Sequence, residues 1–180
     1  MEIAPIQEVD ELWRTPQRVV LVVSSDGAKR PNIATVAWKM RTSEEPPLFA
    51  ISLGKTSLSH QLVLEGQEFV LAIPSERIWK EVLYCGTHSG REVDKLRETG
   101  LTALPARYVA PPLIQECIAN YECRLVAQLD TGDSTLFVGE VLAAWRRMGE
   151  DRNLLLVGRE GGCEYLGGAE EGYRMGVVKR

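Results

Sequence analysis

The stretch "PPLFAISLGKTSLSHQL", residues 46–62, joins an apolar run to a helix-like segment through a Gly-Lys-Thr-Ser cluster. The run before Gly54 suits a buried strand. After it, "SLSHQLVLEG" (57–66) places Leu58, Leu62 and Val63 on one helical face, with Thr56 or Ser57 as cap and Gly66 as stop. Hydroxyls and an ammonium at a helix start suit a phosphate, because first-turn amides lack intrahelical acceptors and the helix dipole favours an anion. The cluster is not a nucleotide-binding P-loop. That motif needs a glycine where this chain carries Phe49, so no glycine-rich backbone is present to wrap a triphosphate.

Working outward, β-forming runs stand on both sides: "RVVLVVSS" (18–25), "PNIATVAWKM" (31–40), "PPLFAISLG" (46–54) and "EFVLAIP" (68–74). The Asp-Gly of "SDGAKRPN" predicts a hairpin between the first two. "IANYECRLVAQLD" (118–130) and "STLFVGEVLAAWRRM" (134–148) form a second hairpin around "TGD", and "NLLLVG" and "CEYLG" are shorter pieces. Two further helices are expected: "SERIWKEVLYCG" (75–86), capped by Ser75 and closed by Gly86, and "SGREVDKLRETG" (89–100), from Ser89 to Gly100. Strands dominate and short turns join most of them, which predicts a mainly β fold: an antiparallel sheet closed into a barrel with helices packed outside. No G-x-G-x-x-G follows a strand, and "GREGG" (158–162) has the wrong spacing for a dinucleotide fold.

With 180 residues, 44% apolar and 26% charged, one domain spanning 1–180 is expected. A formal charge of −4 argues against a nucleic-acid binder, which needs clustered Lys and Arg. The longest aliphatic run, "VVLVV" (19–23), is too short to cross a bilayer, and the acidic N-terminus lacks the plan of a secretory signal, so the expected location is the cytoplasm. The cysteines at 85, 117, 123 and 163 form no C-x-x-C pair and read as separate reduced thiols. With only His60 and His88 beside them, no metal site is expected. "THSG" (87–90) lacks the G-x-S-x-G elbow of a hydrolase, and no residue is assigned as catalytic.

The order "DGAKRPNIATVAW", "PPLFAISLGKTSLSHQL", "EFVLAIP", "CGTHSGREVDKL" resembles the flavin reductase-like, FMN-binding split-barrel family, near its flavoredoxin branch, over residues 15–148. The resemblance implies a six-stranded Greek-key split β-barrel, a homodimer, and FMN held non-covalently near the subunit interface. Lys55, Thr56 and Ser57 would then seat the phosphate. Thr35, Val36, Ala37 and Trp38 would offer backbone groups to the flavin ring, with Ser52 and Leu53 beside the ribityl chain. Cys85, Gly86 and Ser89 would close over the far side, and Lys95 occupies the family's basic position, to hold the cofactor or a nicotinamide; taken alone, Asp94 and Lys95 read as a solvated helix face. One departure is Ala72, where the family often has Asn, which removes a side-chain hydrogen bond to the flavin.

The activity implied is hydride transfer from NADH or NADPH to FMN, and onward electron transfer to free flavin, a partner monooxygenase or another redox protein. An FMN-bound electron carrier without reductase activity is the alternative. A flavin-free barrel binding another ligand is a third reading, with Ala72 its only hint.

Overall fold

A run that is apolar at odd and even positions alike, such as 18–25, suits a strand covered on both faces. The computed structural model describes residues 16–25, 30–149, 152–156, 163–168 and 174–178. A short strand β1 (Gln17–Arg18) leads into β2 (Val20–Ser25), all of whose residues are buried. Then come β3 (Pro31–Val36), β4 (Lys39–Ser43), β5 (Leu48–Gly54), helix α1 (Leu58–Gly66) and β6 (Glu68–Ile73). A 3₁₀ turn (Glu76–Ile78) opens a helical segment made of α2 (Trp79–Thr87) and α3 (Lys95–Thr99). The short pair β7 (Ala103–Leu104) and β8 (Leu113–Ile114) precedes the long hairpin of β9 (Ala119–Thr131) and β10 (Ser134–Arg146). Finally β11 (Leu155–Leu156), β12 (Cys163–Gly168) and β13 (Arg174–Val178) join β1 in a small sheet ordered β1-β11-β13-β12.

The main sheet runs β3-β2-β6-β9-β10-β5-β4, antiparallel at each pairing. Its two edges, β3 and β4, are consecutive in the chain and separated only by Ala37 and Trp38. The single strand expected at 31–40 is therefore one bent strand that changes partners: β3 pairs with β2, β4 with β5, and Ser52 N donates to Trp38 O at 2.9 Å. Counting the two halves together returns the six expected strands, and the barrel closes through the chain itself.

Parity sorts the side chains. Val20, Val22, Ile51, Phe69, Leu71 and Phe137 fill the barrel, joined by Val63 from α1. The alternate residues Leu21, Val23, Ile33, Val70 and Ala72 point outward beneath Ile78, Val82 and Cys85. The split barrel thus has one core inside and a second between its wall and the helices.

Several boundaries differ from expectation. Ser57 caps α1, its Oγ accepting from His60 N at 3.1 Å, and Gly66 is the last helical residue as expected, although the left-handed cap, φ 57°, is Gln67 after it. Ser75 makes no capping bond; its hydroxyl is buried without a partner, and Gly86 lies inside α2. The helix expected over 89–100 exists only as α3, capped by Asp94 through Arg97 N and ended by Gly100 at φ 69°. Ser89 instead closes a turn, its carbonyl accepting from Glu92 N and Val93 N. Gly90 there presses on β3: a Cβ at this position would fall 2.0 Å from Asn32 Oδ1. The Asp26–Gly27 turn lies outside the described residues. Among the described residues no helix is long and apolar enough to cross a membrane.

Candidate functional site

The bend at Ala37–Trp38, the strand-to-helix junction after β5 and the segment from the end of α2 to α3 enclose a cleft of about 550 Å3. Thr35, Val36, Ala37, Trp38, Ser52, Leu53, Thr56, Ser57, Cys85, Gly86, Ser89 and Lys95 all line it. Lys55 does not. Its amide donates to Asp133 O at 2.9 Å, and its ammonium lies 3.4 Å from Asp130 Oδ2, turned toward the β9–β10 hairpin. A hydrogen bond from Thr135 and then the Lys55 charge lower the Asp130 pKa.

The cation that lines the cleft at the start of α1 is Arg91, whose guanidinium donates to Thr56 O at 3.0 Å and to Gln61 Oε1 at 3.3 Å. Ser89 Oγ accepts from Arg91 N and shapes that turn. The amides of Leu58 and Ser59, in the first turn of α1, have no intrahelical acceptor. Together with the Thr56 and Ser57 hydroxyls, these groups gather hydrogen-bond donors at one end of the cleft, and the cation among them is Arg91, not Lys55. Asn32 and Ser59 were also hidden in the sequence: Asn32 Nδ2 donates to Ser59 Oγ at 2.7 Å, while the buried Oδ1 has no partner. The only local sign of Arg91 was an arginine two residues past Ser89 in a loop otherwise read as helix.

At the other end, Val36 and Leu53 point into the barrel, and Ala37 lies outside both ladders. Trp38 is 44% exposed and offers an apolar flank. The Thr35 hydroxyl donates to Val82 O. A Cβ on Gly86 would meet Thr35 Cβ at 3.1 Å, so α2 lies close against β3. Lys95 is only 5% exposed, not part of a solvated helix face. Its ammonium donates to Ile33 O at 2.8 Å and Cys85 O at 2.7 Å, and burial lowers its pKa. It acts as a strut between β3 and α2, with one of three donors left for a cleft acceptor.

Burial pushes the Cys85 thiol up to about 11, against the lowering effect of the Lys95 charge, so it stays protonated at neutral pH. His88 stacks on Tyr84 with ring centroids 3.8 Å apart at the mouth of the cleft. Ala72 is fully buried in the helix-side core and does not line the cleft. No group of three potential metal ligands occurs among the described residues. The cleft therefore combines a donor-rich end at the start of α1, a strand bend outside the ladders and an apolar flank at Trp38.

Residues 12–164 match the family described as flavin reductase like domain. An uncharacterized protein of Archaeoglobus fulgidus is 41% identical over 127 residues, 71% of each chain. The FMN reductase (NADH) SmoA of Agrobacterium fabrum is 32% identical over 136 residues, 73% of this chain and 71% of its own. Among solved structures, the FMN-binding protein from Thermus thermophilus with bound 1-cyclohex-2-enone superposes with a TM-score of 0.76 at 26% identity, covering 88% of this chain and 90% of that one. The flavoredoxin of Desulfovibrio vulgaris (Miyazaki F) gives 0.75 at 25% identity, covering 85% and 88%.

Proposed function

This chain belongs to the flavin reductase like domain family, and from that premise we propose that it is an FMN-dependent oxidoreductase that takes electrons from NADH or NADPH and passes them to an acceptor: free flavin, a partner monooxygenase or another redox protein. The observation that carries the reading is the pairing, within one cleft, of the Arg91–α1 anion seat with the strand bend at Ala37–Trp38. The residues fit the cofactor. Arg91, the hydroxyls of Thr56 and Ser57, and the amides of Leu58 and Ser59 would hold the dianionic phosphate. The orphaned Asn32 Oδ1 is an acceptor and would take a hydroxyl of the ribityl chain, not the phosphate. Bound FMN supplies hydride acceptance and electron donation. The chain supplies position: Arg91 fixes the tail end, Lys95 fixes β3 against α2, and the neutral Cys85 thiol adds no negative charge to the wall.

The assembled unit in this reading is a homodimer. Cross-strand partners share a face, and the outer face beside the cleft carries Leu129, Leu136, Ser52 and Trp38 in one row, and Val138, Ala50 and Met40 in the next. Of these, Leu129 is 62% and Met40 58% exposed, an apolar surface that a second copy would cover.

Purified protein loaded with FMN should show a bound-flavin spectrum, and anaerobic stopped-flow mixing with NADH or NADPH should bleach it. Failure to retain FMN overturns the reading. Retention without bleaching by either nicotinamide makes the protein an FMN-bound electron carrier.

A further inference from the structure

The barrel has a second opening of about 790 Å3, away from the flavin cleft. Its floor is the barrel interior: Val20 and Leu71 belong to the inner core, and Phe49 and Tyr121 line it with ring centroids 5.2 Å apart. Trp145 stands on the wall, its indole N–H donating to Glu122 Oε1 at 2.6 Å, which fixes the ring. Around this aromatic floor stand four cations, Arg18, Lys39, Arg41 and Arg146.

The carboxylate behind this wall, Glu122, is already engaged by Trp145 and the amides of Arg107 and Tyr108, and the rim cations make no ion pair with a described residue. Among the described residues the ion pairs join Lys55 to Asp130, Arg97 to Glu98, and Arg152 to Glu76 and Glu164, and none involves these four cations. Lys39 is held inward, its ammonium donating to Arg18 O at 2.6 Å, and burial followed by the Arg18 charge lowers its pKa. Like charges drawn together over an apolar floor, in a chain whose net charge is −4, concentrate positive potential where an anion would relieve it. The mouths of barrels are common ligand sites.

We propose that this open end of the barrel is a second binding site, separate from the flavin cleft, for an aromatic anion: a planar ring bearing a carboxylate or phosphate. The ring would lie over Phe49 and Tyr121 against Trp145, and the anion among the rim cations.

Isothermal titration of FMN-saturated protein with 2-naphthoate, its neutral analogue 2-naphthamide, and 1-naphthyl phosphate tests the site. Saturable naphthoate binding is expected, with naphthamide about tenfold weaker or worse; the naphthyl phosphate arm decides which anion is preferred. Combining Arg18→Gln, Arg41→Gln and Arg146→Gln should weaken naphthoate by about tenfold or more, with the thermal midpoint and FMN affinity unchanged. Equal binding of naphthoate and naphthamide, an unaffected triple variant, or competition between naphthoate and FMN each overturns the site. FMN retention is read separately, so loss of the proposed function is distinguishable from loss of this site.

Discussion

At the scale of single residues, the proposed phosphate seat turns on which cation faces it. Lys55 adjoins the seat in sequence but points at Asp130, whereas Arg91 arrives from 35 residues away to bond the carbonyl of Thr56. Charge-assisted hydrogen bonds contribute about 1.5–3 kcal/mol, and the exposure of Arg91 places it at the lower end. Arg91→Ala should therefore raise the FMN dissociation constant about tenfold, and Lys55→Ala should change it less than about twofold. Fluorimetric titration of both variants checks the ranking, and a larger loss for Lys55→Ala would move the phosphate elsewhere. The hydroxyl cluster and helix start were legible because capping chemistry is local. The direction of Lys55 was not, since its amide is tied to Asp133 on a hairpin far along the chain.

Among the elements, strands and α1 could be read from apolar runs and caps, but pairing-dependent features could not. Nothing inside "PNIATVAWKM", which has neither Gly nor Pro after its first residue, signals the bend between β3 and β4. That bend comes from the change of partner. The loop at 89–94 looked helical because Ser89 and Gly100 suit helix ends, yet the approach of Gly90 to Asn32 is a tertiary contact. Nor does sequence show that Glu122, on β9, is fully buried. Its carboxylate accepts from the amides of Arg107 and Tyr108 and the indole of Trp145, tying the segment between β7 and β8 to the barrel. Burial raises its pKa, but these hydrogen bonds and one from Val109 outweigh that and leave it lowered. A depressed carboxyl contributes stability above its unfolded value near 4.3, and that contribution fades as pH falls through the folded value. Glu122→Gln, which turns an acceptor into a donor facing donors, should cost about 1–3 kcal/mol at pH 7. Urea unfolding should show the gap between the two proteins narrowing below about pH 4, and a gap that stays constant would remove Glu122 from the acid limb.

For the whole molecule, the apolar rows beside the cleft predict dimers: light scattering at micromolar concentration should report twice the chain mass, and Met40→Glu with Leu129→Glu should return monomers. A monomeric parent protein that still binds FMN tightly would contradict this. The bend at Ala37–Trp38 has another effect at this scale. The two edges of the sheet are fastened there by the peptide chain, and the same residues line the cleft. Filling the cleft is therefore linked to folding of the barrel. A ligand present at a hundred times its dissociation constant adds about 2.7 kcal/mol to the folded state. Because that energy stabilises the folded chain as a whole, cofactor supply in the cell would set the share of chains that stay folded.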